Sequence, residues 1–212
     1  MSNDRALKVW NIREMAYMDT HYGHSSDILG LDSYSRDRVV SCGLDRNVIF
    51  WKVNEDSELI YNNPIHTVDT LNCINAKFFI TGSSDNAIDL WIMNKKKPIY
   101  SLGGLHEKDS WILSTAAIKN SDLFCSGSYD GQVVVYGFNK DKKQIGVLGR
   151  FKNLDGCINA VKFSNMRSVD LVNRSVAPML AVTHSKEERL GRWHVQTKSK
   201  TGVTILRKRI QL

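Results

Sequence analysis

The chain is poor in proline, with three residues in 212, and modest in glycine, with fourteen. That excludes a collagen-like or low-complexity chain. Long apolar runs are missing. Every hydrophobic stretch is broken by polar residues, so none is long enough to span a bilayer as a helix. The opening residues, MSNDRALKVW, lack the apolar stretch of a signal peptide. Paired cysteines are missing too. Cys42, Cys73, Cys125 and Cys157 form no Cys-x-x-Cys pair, which argues against a zinc or thioredoxin-type site. They read as reduced, half-buried thiols of a cytosolic or nuclear protein. There is no Gly-rich phosphate loop, no HExxH and no isolated pair of carboxylates. No constellation supports an enzyme, a metal, a cofactor or a small-molecule substrate.

Acidic residues are scarce only in the last third. Residues 1–139 carry a net charge of −4 and residues 140–212 a net of +11. An excess confined to one end suggests a polyanionic partner for that end.

What is present is a repeat. Five segments align without gaps: NDRALKVW, LDRNVIFW, SDNAIDLW, YDGQVVVY and KEERLGRW. Each places an acidic residue six positions before an aromatic: Asp4/Trp10, Asp45/Trp51, Asp85/Trp91, Asp130/Tyr136 and Glu187/Trp193. The aromatics are 41, 40, 45 and 57 residues apart. Three of these intervals match the roughly 40–45-residue period of a propeller blade. Short β-prone runs at Val39–Cys42, Phe78–Thr81 and Leu123–Ser126 each lead through Gly and an Asp-containing turn into a second run. This is one hairpin repeated. A further run precedes and another follows each hairpin, giving four strands per unit and an all-β repeat protein.

These segments resemble the WD-repeat (WD40) family. The resemblance implies a structural tetrad in each blade, made of a loop His, a strand Ser or Thr, the turn Asp and the aromatic. It assigns His24, Ser41, Asp45 and Trp51 to one set and His66, Thr81, Asp85 and Trp91 to the next. His106, Ser126, Asp130 and Tyr136 form a third. The last unit has Thr183 four residues before Glu187 but no loop His. In such a set every buried polar group finds a partner. A hydrolase triad is the wrong reading of these Ser, His and Asp residues. The set recurs once per blade at positions expected to be buried, whereas a nucleophile needs exposure and an oxyanion hole.

The repeat count predicts a half blade at residues 1–22 and four-stranded blades at about 23–65, 66–105, 106–150 and 151–212. WD propellers usually have seven blades, about 280 residues at this period. The expectation is therefore an open arc of a larger propeller, with edges prone to pair.

The phrases SWILSTAAI, GCINAVKFS and ERLGRW, followed by HVQTKSKTGVTILRKRI, are similar to the 55-kDa-type WD-repeat family of the U3 small nucleolar ribonucleoprotein. That likeness implies a non-catalytic subunit in the nucleus and nucleolus, serving pre-rRNA processing. Its implied partners are the U3 small nucleolar RNA, the box C/D core proteins and other small-subunit processing factors, with no membrane. Candidate RNA contacts are Arg189 and Arg192 on the expected third strand of the last blade, and Lys198 and Lys200 in the turn after it. Arg207, Lys208 and Arg209 at the basic terminus join them, as do Arg167 and Arg174 in a widened loop at 164–178. The run Lys95–Lys97 reads as a solubilising turn. A scaffold without RNA contact is the competing reading. Its ubiquitin-ligase version needs a W-D-x-R signature, and the nearest match, Trp10-Asn11-Ile12-Arg13, has Asn for Asp.

Overall fold

The computed structural model describes residues 3–62, 66–108, 110–164, 179–189, 191 and 195–207. Strands β1 (Ala6–Asn11) and β2 (Ala16–Tyr22) pair as a two-stranded sheet. The next sheet holds β3 (Ile28–Ser35), β4 (Arg38–Gly43), β5 (Asn47–Lys52) and β6 (Ser57–Asn62) in chain order. Then come β7 (Val68–Cys73), β8 (Phe78–Ser83), β9 (Ala87–Ile92) and β10 (Tyr100–Gly103). The third four-stranded sheet is β11 (Ile112–Ala117), β12 (Leu123–Ser128), β13 (Val133–Asn139) and β14 (Gln144–Phe151). All neighbouring strands within these sheets are antiparallel.

Each core is shared between consecutive sheets. Val40, Cys42 and Phe50 pack with Leu71, Phe79 and Trp91 of the following sheet. Ile80, Ile88 and Leu90 pack with Ile112, Phe124 and Tyr136 of the one after. Middle strands are therefore covered on both faces, and β8 and β9 are buried along their whole length. That is why they read as continuous apolar runs and not as strict alternation. The first strands β3, β7, β11 and β15 (Cys157–Phe163) stand side by side. Thr70 and Thr115 hydroxyls bond at 2.9 Å, Asp32 accepts from the Cys73 amide at 2.8 Å, and Ser114 donates to the Ile158 carbonyl at 3.4 Å. The first two of these contacts join consecutive first strands one residue out of step with the repeat.

Close approach of the sheets needs glycine at a repeated position. A Cβ on Gly82 would meet Ile112 Cγ2 at 2.6 Å, and one on Gly127 would meet Ile158 Cγ2 at 2.4 Å. At these two seams an isoleucine of the following first strand sits where the preceding sheet has no side chain.

The last sheet departs from the expected pattern. It is three-stranded among the described residues, with β16 (Met179–Ser185) between β15 and β17 (Gly202–Arg207). The run at 203–206, expected as a fourth strand, occupies the third place. Among the described residues of segment 187–195 there is one bridge, Glu187 to Val195, and Gly191 has a φ of +66°. The register supplies the physical reason. Thr183 faces Val203 as Ser41 faces Ile49, and Ala181 faces Ile205 as Val39 faces Trp51. Ile205 thus holds the aromatic's place. Thr183 donates its hydroxyl to the Ala160 carbonyl at 3.3 Å.

The cysteines also depart from expectation. All four are free and fully buried, none more than 1% exposed. Burial pushes the Cys73 thiol up to about 12 and raises the other three as well. These are inert core groups.

Gly127→Ala should destabilise the chain by about 1–3 kcal/mol, because the added methyl overpacks a closed contact. Gly146→Ala, which meets nothing within 4 Å, should change stability by less than about 0.5 kcal/mol. Urea unfolding of both variants checks the difference.

Candidate functional site

Each complete polar set is built by one hairpin and the loop before it. In the first four-stranded sheet, His24 Nδ1 lies 2.8 Å from Asp45 Oδ2 and Nε2 lies 2.7 Å from Ser41 Oγ. The Trp51 indole N–H donates to the same hydroxyl at 2.8 Å. One proton arrangement satisfies all four groups. The ring donates from Nδ1 to the carboxylate, Ser41 donates to Nε2, and Trp51 donates to Ser41. Asp45 also accepts from the amides of Ser25 and Asn47, which fixes the β4–β5 turn.

The third sheet repeats this with a phenol. His106 Nδ1 lies 3.3 Å from Asp130 Oδ1, Nε2 lies 2.8 Å from Ser126 Oγ, and Ser126 bonds Tyr136 Oη at 2.8 Å. Amides of Glu107 and Gln132 donate to Asp130. The second sheet is looser. Trp91 donates to Thr81 at 2.9 Å, but the His66 side chain is 41% exposed. It presents Nε2 to Asp85 at 3.5 Å. Ser41, Thr81 and Ser126 are all at 0% exposure, so no hydroxyl in these sets is accessible for attack on a substrate.

Burial alone would raise the Asp130 carboxyl. The His106 ring and the two amides outweigh it, so the net shift is downward.

The basic candidates do not form one cluster. Arg189 lies off any strand; its guanidinium donates to the Asp69 carbonyl of β7 at 2.9 Å, and its amide donates to Asn159. Burial lowers its pKa, and its cation serves a contact between sheets. Neighbouring Glu188 is 5% exposed and accepts from the Trp111 indole at 2.7 Å. Lys198 and Lys200 are exposed in the β16–β17 connection, at the same end as the tetrad turns. Arg207 ends β17 at the opposite end of the sheet. Arg192, Trp193, Arg167, Arg174, Lys208 and Arg209 lie outside the described residues. The split between the two ends was invisible in sequence, because it depends on chain direction within each sheet.

Repeated four-stranded antiparallel sheets, two of them pinned by a complete His–Asp–Ser–aromatic set and one by its Trp–Thr half, define a WD40-repeat β-propeller. The chain belongs to that class. The family model described as "WD domain, G-beta repeat" matches residues 16–52 and 96–137. The chain is similar to U3 snoRNP-associated protein-like EMB2271 of Arabidopsis thaliana, 29% identical over 218 residues, covering 96% of this chain and 43% of that protein. It is also similar to U3 small nucleolar RNA-interacting protein 2 of Mus musculus, 32% identical over 160 residues, covering 72% of this chain and 31% of that protein. Among solved structures, that of U3-55K superposes with a TM-score of 0.85 at 30% identity, covering 98% of this chain and 63% of that one. The chain thus spans less than half the length of these two relatives.

His106→Ala should cost about 2–4 kcal/mol, since it removes one hydrogen-bond partner from each of buried Ser126 and Asp130. His66→Ala should cost under about 1 kcal/mol, because its ring is already solvated. Chemical denaturation of the two variants tests this ranking. Asp130 has a folded-state pKa below its unfolded value, so its stabilisation is present above the ordinary carboxylate pKa of about 3.9 and fades as pH falls through the folded value. The stability gap between wild type and Asp130→Asn should therefore narrow on acidification from pH 6 toward about pH 3, read from urea midpoints along a pH series.

Proposed function

We propose that this chain is a non-catalytic RNA-binding and scaffold subunit of the U3 small nucleolar ribonucleoprotein, acting in pre-rRNA processing and small ribosomal subunit biogenesis. Its place is the nucleus, in the nucleolus. Its partners are the U3 small nucleolar RNA, the box C/D core proteins and other small-subunit processing factors. The observation that carries this reading is the superposition on U3-55K along almost the whole chain, including the last sheet, where the tetrad pattern shared by propellers has lapsed. Likeness there does not come from the repeat alone.

The chemistry agrees. In the first and third four-stranded sheets the Ser, His and Asp groups are buried and mutually bonded, which suits a platform. Cations on turns and strand ends suit an RNA gripped through phosphates and 2′-OH groups. Lys198, Lys200 and Arg207 are the described members of the candidate set. Arg167, Arg174, Arg192, Lys208 and Arg209 are proposed with them on charge alone. Arg189 is proposed instead as a brace between sheets. A protein-docking role accompanies RNA contact: Val203 and Ile205 on β17 are each 69% exposed. Partners retained in a pull-down after nuclease treatment would belong to that role.

Binding of the chain to the box B/C stem of U3 RNA should weaken steeply with salt. Each neutralised phosphate contributes roughly 0.7–0.9 to the log–log slope. Replacing Arg207, Lys208 and Arg209 by glutamine should flatten the slope in a salt titration. An unchanged slope would remove this terminus from the interface.

A further inference from the structure

The first strands of the four sheets end in a pocket that the tetrads do not account for. Asp32, Asn72, Ala116 and Lys162 hold one place in four consecutive first strands. Each lies four residues after a buried aliphatic residue of its strand: Ile28, Val68, Ile112 and Ile158. Each pairs with the corresponding residue of the second strand: Val40, Ile80, Cys125 and Ala181. Three of the four are polar, and Ala116 has only a methyl group. Beside that methyl a cavity of about 400 Å³ opens, with Asp32, Asn72, Lys119, Lys162 and Ser164 on its wall. It lies at the end of the first strands away from the tetrad turns.

The β11–β12 turn closes one side. Lys119 reaches from it to the first four-stranded sheet, where its ammonium donates to Asp32 Oδ1 at 3.4 Å and to the Ser33 carbonyl. Asn120 gives its amide to the Ile74 carbonyl at 2.8 Å and accepts the Tyr34 hydroxyl at 2.8 Å. The turn is thus tied to both preceding sheets. Its carboxylate, Asp122, is engaged by Lys140 at 2.8 Å.

What the wall has left to give is donors. Asp32, the carboxylate among the lining residues, is in use. Its Oδ2 accepts from the Cys73 amide at 2.8 Å, and its Oδ1 accepts from the Ser33 amide at 2.8 Å and from Lys119. Asn72 spends Oδ1 on the Thr115 hydroxyl at 2.7 Å, which leaves its N–H groups. Ser164 Oγ accepts from the Met179 amide at 3.2 Å, which leaves its O–H. An ammonium carries three donors, and Lys119 uses two of them here. Lys162 is exposed and enters no ion pair among the described residues. A wall with donors to spare, an unpaired cation and its carboxylate already engaged matches a group that only accepts and is negatively charged.

We infer that this cavity seats the carboxylate of an acidic side chain from a protein partner. Ala116, Ala117, Ile118 and Phe163 complete the lining and offer apolar surface to the methylenes of that side chain. A ribose–phosphate chain has no such stem, and its successive charges would meet Asp32. The inference rests on the protein-docking role proposed above. It is separate from RNA contact at the β16–β17 connection and the basic terminus.

The test uses the whole chain with labelled alanine and isoleucine methyl groups, read by NMR at Ala116, Ala117 and Ile118. The probes are acetyl-Ala-Glu-Ala-amide and acetyl-Ala-Gln-Ala-amide, titrated at constant ionic strength. The glutamate peptide should shift these methyls saturably. The glutamine peptide should bind about tenfold more weakly, because it forfeits a charge-assisted contact. Lys162→Gln should weaken the glutamate peptide by about tenfold as well. Lys162→Arg should match wild type, and so should Lys152→Gln, which changes an exposed lysine outside the lining. Dispersed methyl signals show that each variant is folded. Absent binding of the glutamate peptide, equal binding of the two peptides, or unchanged binding by Lys162→Gln overturns the pocket. Partners that survive nuclease in the pull-down then leave the docking role standing, and their absence overturns that role too. Displacement of the glutamate peptide by the U3 box B/C stem RNA overturns the protein assignment, because the cavity would then hold phosphate.

Discussion

A hydroxyl buried in the middle of a β-sheet has to find partners inside the protein, and this fold is arranged around that requirement. Ser41 and Ser126 each sit between an imidazole and an aromatic donor, and each imidazole is in turn held by a turn carboxylate. The chain of bonds runs from a loop, through a strand, to a turn and on to the neighbouring strand. It fixes where the hairpin turns and in what register its strands pair. The remaining features follow: strands covered on both faces, glycines that admit the next sheet's isoleucine, and thiols sealed in the core.

Where the chain of bonds is interrupted, the sheet changes. His66 stands half in solvent, and its sheet relies on the Trp91–Thr81 bond and on packing. In the last sheet Ile205 replaces the aromatic and Thr183 finds a backbone carbonyl. Buried Glu188 accepts from the Trp111 indole, and exposed Arg189 reaches across to the Asp69 carbonyl. A segment that resembles a repeat by spacing has become a brace between sheets.

Antiparallel order has a second consequence, for charge. Turns alternate between the two ends of each sheet, so residues adjacent in sequence diverge and residues tens of positions apart converge. Lys198 and Arg207 are nine positions apart and lie at opposite ends of their sheet. Phe78 and Phe138 are much farther apart in the chain and pack edge-on.

Period and inner spacing were readable directly from the residues. Buried strands must be apolar and turns must carry Asp and Gly, whatever surrounds them, so the hairpins, the strand runs of the three complete sheets and two full polar sets could be placed by number. The last sheet could not, because the Glu187–Trp193 spacing does not reveal that β17 takes the third place. Only the register of β17 against β16 shows which segment pairs. Full burial of the cysteines was likewise hidden, since it comes from the neighbouring sheet. The distribution of charge over faces was hidden for the same reason. The sequence determines what each strand must bury, which is a local property of residue type. The tertiary structure alone decides which turns meet, because that depends on strand direction and on how one sheet is set against the next.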